Sequence, residues 1–441
     1  MHLAVALVAQ TIWIAVAMLN SHNLMKLQKA KHRYFPRMLL YFMGNISEGI
    51  HAKGEKMNTE LNNVTNEIDT YEIDEHDKFP FELKDGFWKK LREDAVKYRV
   101  PIHGHFEITP FCMLDCKMCY VHLSNSQVDN KQLLTLDEWK RIIDDAIDNG
   151  MMFASLTGGE CLMSPHFDEL YSYLKSKGIM VTVLTNGVLL DRKIELFKKY
   201  KPNSIQISMY GWDEDSFERV TGFRHYEKVK SAIETVIDMG INVSIAITPS
   251  KYLLDVNKIA EKYVDKNVSI FVSSWIMPPR ESTGRVIDDI CLTPEQQVKI
   301  AMDFYNLTEK TKLTPYTGTL PLANTIPSKK THIGLKCAAG RTDFSISWKG
   351  EMTLCASLDD VIGYPLQESF SDIWKKCVEK ADHYAYPVEC ADCQYNSICK
   401  PCPAQHLIYG DGKHCNPDVC KELQMKVRCG LKKFNKESEE I

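Results

Sequence analysis

Between residues 103 and 275 short apolar runs alternate with amphipathic stretches, and no other feature narrows the fold so far. "HGHFEITPF" (103–111), "MFASLT" (152–157), "IMVTVLT" (179–185), "SIQISM" (204–209), "INVSIAIT" (241–248) and "VSIFVSSW" (268–275) read as strands. Helical spacing recurs between them: over 135–150, after Ser164-Pro165, near 190–200, over 226–239 and over 255–265. The first helix is marked at both ends. Thr135 and Glu138 form a capping-box pattern, Trp139, Ile142, Ile143, Ala146 and Ile147 share a face, and Gly150 stops it. Continuous apolar strands separated by helices are parallel βαβ units. The expected fold class is α/β, a partial (β/α)6 barrel. An open doubly wound sheet is the alternative that pattern alone leaves.

The 441 residues suffice for two or three domains. A formal net charge of −4, with both signs mixed, supplies no basic stripe for a nucleic-acid partner, so none is expected. The 15 cysteines are odd in number and clustered, which favours metal ligation in a reducing, cytoplasmic compartment over disulfides. Cys161 and Cys291 stand alone and read as buried free thiols. Residues 3–19, "LAVALVAQTIWIAVAML", are at the short limit for a membrane span and carry Gln10 and Thr11 mid-run. No basic stretch precedes them, which argues against a signal peptide, and the basic residues after them would favour the cytoplasmic side if the run inserted. A third reading takes Met57, directly after "KGEK", as the natural start and residues 1–56 as an extension.

In barrels of this kind chemistry sits at the C-terminal ends of the strands. "FCMLDCKMCY" (111–120) follows the first strand and carries Cys112, Cys116 and Cys119. "TGGE" (157–160) follows the second strand and "TNG" (185–187) the third, so three unusual loops converge on one rim. Four thiolates would close a zinc or iron–sulfur site. Three can hold three irons of a cubane and leave one iron open to a ligand. The competing reading is a zinc site completed by a distant residue such as His122.

The Cx3Cx2C loop after the first strand, followed by "GGE" after the second, resembles the radical S-adenosylmethionine enzymes. The resemblance covers roughly residues 100–430. It implies that Cys112, Cys116 and Cys119 bind a 4Fe–4S cluster whose open iron chelates S-adenosylmethionine. One electron then splits the sulfonium bond and gives a 5′-deoxyadenosyl radical. The electron would come from a low-potential donor such as flavodoxin or ferredoxin. The cofactor carries the difficult step, and the protein orients it. Gly158 and Gly159 let backbone approach a ligand closely, and Glu160 can pair with the cofactor's ammonium. Cys161 stands where the family usually has proline. Met118 takes the position that often packs near the adenine. Ser208, at the end of the fourth strand, is placed to hydrogen-bond the ribose or carboxylate. Thr185 and Asn186 are candidates for the same rim, or simple turn residues.

The last third holds its own cysteine pattern. A helix over 293–311 leads through a Pro/Thr-rich linker to Cys337 and Cys355, which bracket a hairpin-like stretch around "KGE". "CADCQYNSICKPC" gives Cys390, Cys393, Cys399 and Cys402, and Cys415, Cys420 and Cys429 follow. Paired CxxC motifs alone would suggest zinc, but the five-residue gap is short for a zinc ribbon. The order is similar to the SPASM extension of radical S-adenosylmethionine enzymes, a small cysteine-rich α+β domain with auxiliary 4Fe–4S clusters. Here the last spacing is one residue shorter than usual. The resemblance implies that Cys337, Cys355 and Cys402 bind one auxiliary cluster. Cys390, Cys393 and Cys399, with Cys420 or its competitor Cys415, bind a second. Either Asp343 is the fourth ligand of the first, or that site is open. Cys377 falls in a helical stretch and reads as structural. The domain division expected is a 1–56 extension, a 57–100 segment, a barrel over 101–290, a bridge over 291–331, the auxiliary domain over 332–430 and a 431–441 tail.

Enzymes with this module mostly modify peptides and proteins, and "ISMYGWDEDSFERVTG" with "YEKVKSAI" looks like those that crosslink ribosomally made precursor peptides through thioether or carbon–carbon bonds. One alternative is a formylglycine-forming sulfatase maturase, weakened because Ala356 stands where such enzymes carry aspartate after the hairpin cysteine; Asp359 and Asp360 are displaced. Small-molecule cofactor biosynthesis and a catalytically silent iron–sulfur protein are the others.

Overall fold

The computed structural model describes residues 85–121, 123, 128, 133–279, 289–311, 314–315, 332–358, 360–399, 401–409 and 413–432. The apolar run at 3–19, Met57, His122, Asp359, most of the linker and the end of the tail lie outside the described residues. The strands are β1 (His103–Glu107), β2 (Phe153–Thr157), β3 (Met180–Thr185), β4 (Ser204–Ser208), β5 (Val243–Ile247), β6 (Val268–Val272), β7 (Thr314–Pro315), β8 (Asp343–Ile346) and β9 (Met352–Thr353). The helices are α1 (Asp85–Tyr98), α2 (Leu136–Asp148), α3 (Phe167–Ser176), α4 (Ile194–Lys199), α5 (Glu214–Thr221), α6 (Tyr226–Asp238), α7 (Val256–Ala260), α8 (Pro294–Lys310), α9 (Phe370–His383), α10 (Pro403–Tyr409) and α11 (Pro417–Arg428).

All nine strands form one sheet in the order β7-β6-β5-β4-β3-β2-β1-β8-β9. From β1 to β6 each strand pairs in parallel with the next in sequence. Right-handed crossovers between sequential neighbours put every connecting helix on the same side. The doubly wound alternative, which reverses strand order and puts helices on both faces, is therefore excluded. The expected six strands and the 135–150 helix all form, and the Thr135–Glu138 capping box is present. Helix α5 is an addition to the expected set. Asp213 caps its N-terminus through the Ser216 amide, and Gly222 closes it in the left-handed region.

The strands are not apolar on both faces. One row across the sheet runs Phe106, Leu156, Val183, Ile205, Val243 and Val268, and packs under the helices. The adjacent row runs His105, Ser155, Thr182 and Ser204 on the opposite face. At the N-terminal ends of the strands α1 packs on that face, through Leu91 and Ala95 against Phe153. The sequence runs looked continuous because serine and threonine are small and suit strands.

The cysteine-rich segment does not form a sheet of its own. Its hairpin, β8 with antiparallel β9, joins the barrel sheet when β8 pairs in parallel with β1. Phe344 is fully buried at this joint, with its ring centroid 6.0 Å from Phe106, 5.2 Å from Phe370 and 6.3 Å from Trp374. These edge-on contacts merge the barrel and C-terminal cores. Replacing Phe344 with alanine is expected to cost about 3–5 kcal/mol. Urea unfolding followed by circular dichroism and by cluster absorbance should show both midpoints falling together; separate midpoints would show that the core is not shared.

Candidate active site

The loop after β1 has no regular structure, so its backbone bonds define it. Asp115 and Lys117 donate their amides to the carbonyls of Thr221 and Val220, at 2.9 Å each. Those carbonyls end α5 and would otherwise lack partners, so the helix terminus seats the cysteine loop. The Cys119 amide turns back to the Cys116 carbonyl at 3.1 Å. Leu114 and Met118 point into the main core and anchor the loop from below.

The second loop lies against the first. The Gly159 amide donates to Thr109 O at 2.9 Å and the Glu160 amide to Phe111 O at 2.7 Å. A Cβ on Gly158 would stand 2.3 Å from Thr109 O, and one on Gly159 2.4 Å from Phe111 O. The close approach that demands these glycines is therefore to the backbone of the cysteine loop, a different role from the ligand approach the motif suggests.

Glu160 is wholly buried. Its carboxylate accepts hydrogen bonds from Leu162 N (3.0 Å), Thr185 Oγ1 (2.7 Å) and Asn186 N (2.6 Å). Burial pushes its pKa up, against the pull of these donors. Thr185 also accepts from Gly187 N, so its hydroxyl is occupied within the rim. The Asn186 side-chain amide contacts Cys112 Sγ at 3.5 Å and Met113 Sδ at 3.1 Å. Glu160, Thr185 and Asn186 thus join the second and third loops to the first. Ser208 sits beside a residue that motif reading missed. The buried Tyr210 hydroxyl lies within hydrogen-bonding reach of the Ser208 and Thr248 side chains. Burial and the nearby Cys116 and Cys119 thiols hold it well above the ordinary phenol range. Its only signal was an aromatic residue just past the end of β4.

Cys112, Cys116 and Cys119 are free thiols gathered on this loop. Partial burial, with Glu160 and Cys119 nearby, pushes Cys112 up to about 11, although the Leu114 amide and Asn186 pull it down. Thiolates crowded in this way need a cation, and a metal centre supplies one. The donor set therefore fits a cluster held by three cysteines. Cys161 is buried and donates its thiol to Leu184 O at 3.1 Å, and Cys377 is buried in α9, as expected of structural thiols. Cys291 is only half-buried, because it lies in the open turn before α8.

Two further thiol groups form beyond β7. Cys337 is pushed up to about 12, first by burial and then by Cys355 and Cys402, which lie near it. Asp343 also bears on Cys337. Cys390, Cys393, Cys399, Cys415 and Cys420 line one small cavity together with Lys336. Cys390 Sγ and Cys415 Sγ are 3.2 Å apart. The fold brings both Cys415 and Cys420 to this site. A separate cavity of about 230 Å³ opens between the cysteine loop and the β8–β9 hairpin, with Glu107, Val121, Trp348, Glu351 and Ala356 in its wall.

Residues 106–253 match the family model described as the Radical SAM superfamily. The chain carries a radical SAM domain. That domain makes the chain an enzyme that uses S-adenosylmethionine and 4Fe–4S clusters. It is 24% identical, over 74% of its length and 71% of the relative's, to the antilisterial bacteriocin subtilosin biosynthesis protein AlbA of Bacillus subtilis (strain 168). It is 24% identical to the PqqA peptide cyclase of Bradyrhizobium diazoefficiens, over 75% of this chain and 88% of the cyclase. The crystal structure of Streptococcus suis SuiB bound to precursor peptide SuiA covers 83% of this chain and 88% of SuiB, at 17% identity and a TM-score of 0.59, and shares the fold. No helix among the described residues is long and apolar enough to cross a membrane.

Three substitutions test the geometry. Gly159→Ala should push the first loop away and lower iron and sulfide by one cluster per chain; unchanged iron would show that the contact does not hold the loop. If Cys420 is the fourth ligand of the five-thiol site, Cys420→Ser should lose one cluster and Cys415→Ser should not, as read by iron analysis and electron paramagnetic resonance.

Proposed function

We propose that this enzyme modifies a ribosomally made precursor peptide, forming a thioether or carbon–carbon crosslink. The observation that carries the reading is the extent of the likeness. It runs from the barrel into the cysteine-rich segment, over about three-quarters of the chain, in relatives named for bacteriocin biosynthesis and peptide cyclisation. When bound, S-adenosylmethionine and its cluster supply a 5′-deoxyadenosyl radical that removes a hydrogen atom from the peptide.

In this reading Cys112, Cys116 and Cys119 hold the first cluster, and Asn186 donates a hydrogen bond to the Cys112 sulfur. Glu160 keeps the rim loops in register and offers negative charge to the cofactor's ammonium. Met118, Gly158, Gly159, Thr185 and Ser208 back or border the same pocket. The polar face of the sheet and the cavity beside Glu107 receive the peptide. Cys337, Cys355 and Cys402 hold one auxiliary cluster, and Cys390, Cys393 and Cys399 with Cys420 a second. Held by these residues, the auxiliary clusters would supply an acceptor for the electron that a crosslinked peptide must give up. The initiating electron comes from a low-potential donor such as flavodoxin or ferredoxin. Formylglycine formation is disfavoured, because Ala356 offers no carboxylate base beside Cys355.

Reduced, reconstituted enzyme should release 5′-deoxyadenosine from S-adenosylmethionine, and Cys112→Ala should abolish release while the auxiliary clusters keep their spectra. With a short precursor encoded beside the gene, mass spectrometry should show a peptide lighter by two hydrogens per crosslink. A sulfatase peptide gaining an aldehyde instead would overturn the proposal.

A further inference from the structure

His103 and His105 occupy alternate positions on β1, on the sheet face opposite Phe106, and Asp343 lies opposite His103 on β8. The three side chains meet at the joint between barrel and hairpin. Asp343 Oδ2 is 3.6 Å from His103 Nδ1 and 3.4 Å from His105 Nε2. Charge-assisted hydrogen bonds close to about 2.7–2.9 Å, so neither contact is a good one. Both separations instead match the edge of a tetrahedron around zinc. Bonds of 2.0–2.2 Å give edges of roughly 3.3–3.6 Å. The donor atoms of all three residues lie within 4.8 Å of one another.

The surroundings complete the pattern. His103 uses its other nitrogen, Nε2, to meet Ser155 Oγ at 2.9 Å. Asp343 Oδ1 accepts from Thr342 Oγ1 at 2.8 Å. Partners of this kind orient imidazole and carboxylate ligands toward a metal. Burial holds His103 near a pKa of about 3, so its ring is neutral and its Nδ1 lone pair available. Arg92 also bears on His103 and opposes a cation. Affinity must therefore come from two imidazoles rather than from excess negative charge, which favours zinc or another borderline ion over calcium or magnesium.

We propose that His103 Nδ1, His105 Nε2 and Asp343 Oδ2 form a zinc-type divalent cation site that pins the β8–β9 hairpin to the first barrel strand. One coordination position faces the polar side of the sheet and is left to water. Asp343 is then committed to this ion and is not the fourth ligand of the Cys337, Cys355 and Cys402 set.

The test uses holoenzyme with all its clusters in place, equilibrated with zinc chloride and desalted over a chelating resin. Mass-spectrometric metal analysis should find one zinc per chain. His105→Ala and Asp343→Asn should retain at least tenfold less zinc with iron unchanged, and zinc should raise the melting temperature of wild type only. No retained zinc in wild type, equal zinc in the variants, or iron lost in Asp343→Asn would each overturn the site. X-ray absorption at the zinc edge of wild type needs no variant. Nitrogen and oxygen near 2.0–2.2 Å support the assignment, and a sulfur shell near about 2.3 Å, from zinc on free cysteines, refutes it.

Discussion

The carboxylate of Glu160 is out of contact with solvent, and three donors at 2.6–3.0 Å hold it. Burying an ionised carboxylate without partners is prohibitive. Two of its partners, Thr185 and the Asn186 amide, are the last residue of β3 and the first of the loop after it, so satisfying the charge fixes where that loop begins. Asn186 then passes the constraint on through its side chain to Cys112. The amides of Gly159 and Glu160 pin the first loop from the other side. Three loops without regular structure thus acquire one geometry, and the thiols of the first are presented in a defined place before any ligand arrives.

The same logic extends to the sheet. Its apolar rows face the helices and supply the core, while its polar rows remain on the opposite face. Pairing β8 with β1 continues both sets of rows into the C-terminal hairpin: Phe344 falls under the helices beside Phe106, and Ser345 lies across from His105. The auxiliary thiols are carried in on a rigid extension of the barrel, which sets their position relative to the first cysteine loop. A separately folded domain on a linker could not do this.

The strands and most helices were legible because the rows under the helices are built from valine, isoleucine and leucine at every turn of the pattern. The clustering of the cysteines was legible in the sequence, while their division into ligand sets came from a family resemblance. What could not be read was which groups neutralise one another. Gly158 and Gly159 were recognisable as close-approach residues, but the surface they approach belongs to the preceding loop, fifty residues earlier in the chain. Thr185 and Asn186 could equally have been turn residues, and they become rim residues only because Glu160 points at them. Helix α5 carried readable caps at Asp213 and Gly222, yet its role in seating the cysteine loop depends on two carbonyls that no side-chain pattern encodes. Tyr210 and the His103–His105–Asp343 group depend on neighbours from other strands and gave little local signal.

The last segment answers a different problem. Among the described members of 390–420, regular structure is limited to the end of a 3-10 turn at Cys390, the short α10 and the start of α11, and few of the apolar side chains are buried. Such a segment cannot be held by a core of its own. It is tied by Asn396, which donates to Cys390 O at 2.6 Å, and by Lys336, which reaches the Asn396 and Cys399 carbonyls at 3.2 and 3.4 Å. Burial, and then the neighbouring Cys415 and Cys399 thiols, push Cys420 up to about 12. In the reading proposed above, a metal centre on these cysteines would replace their protons with bonds that tie the segment together, and its binding free energy would become folding free energy there.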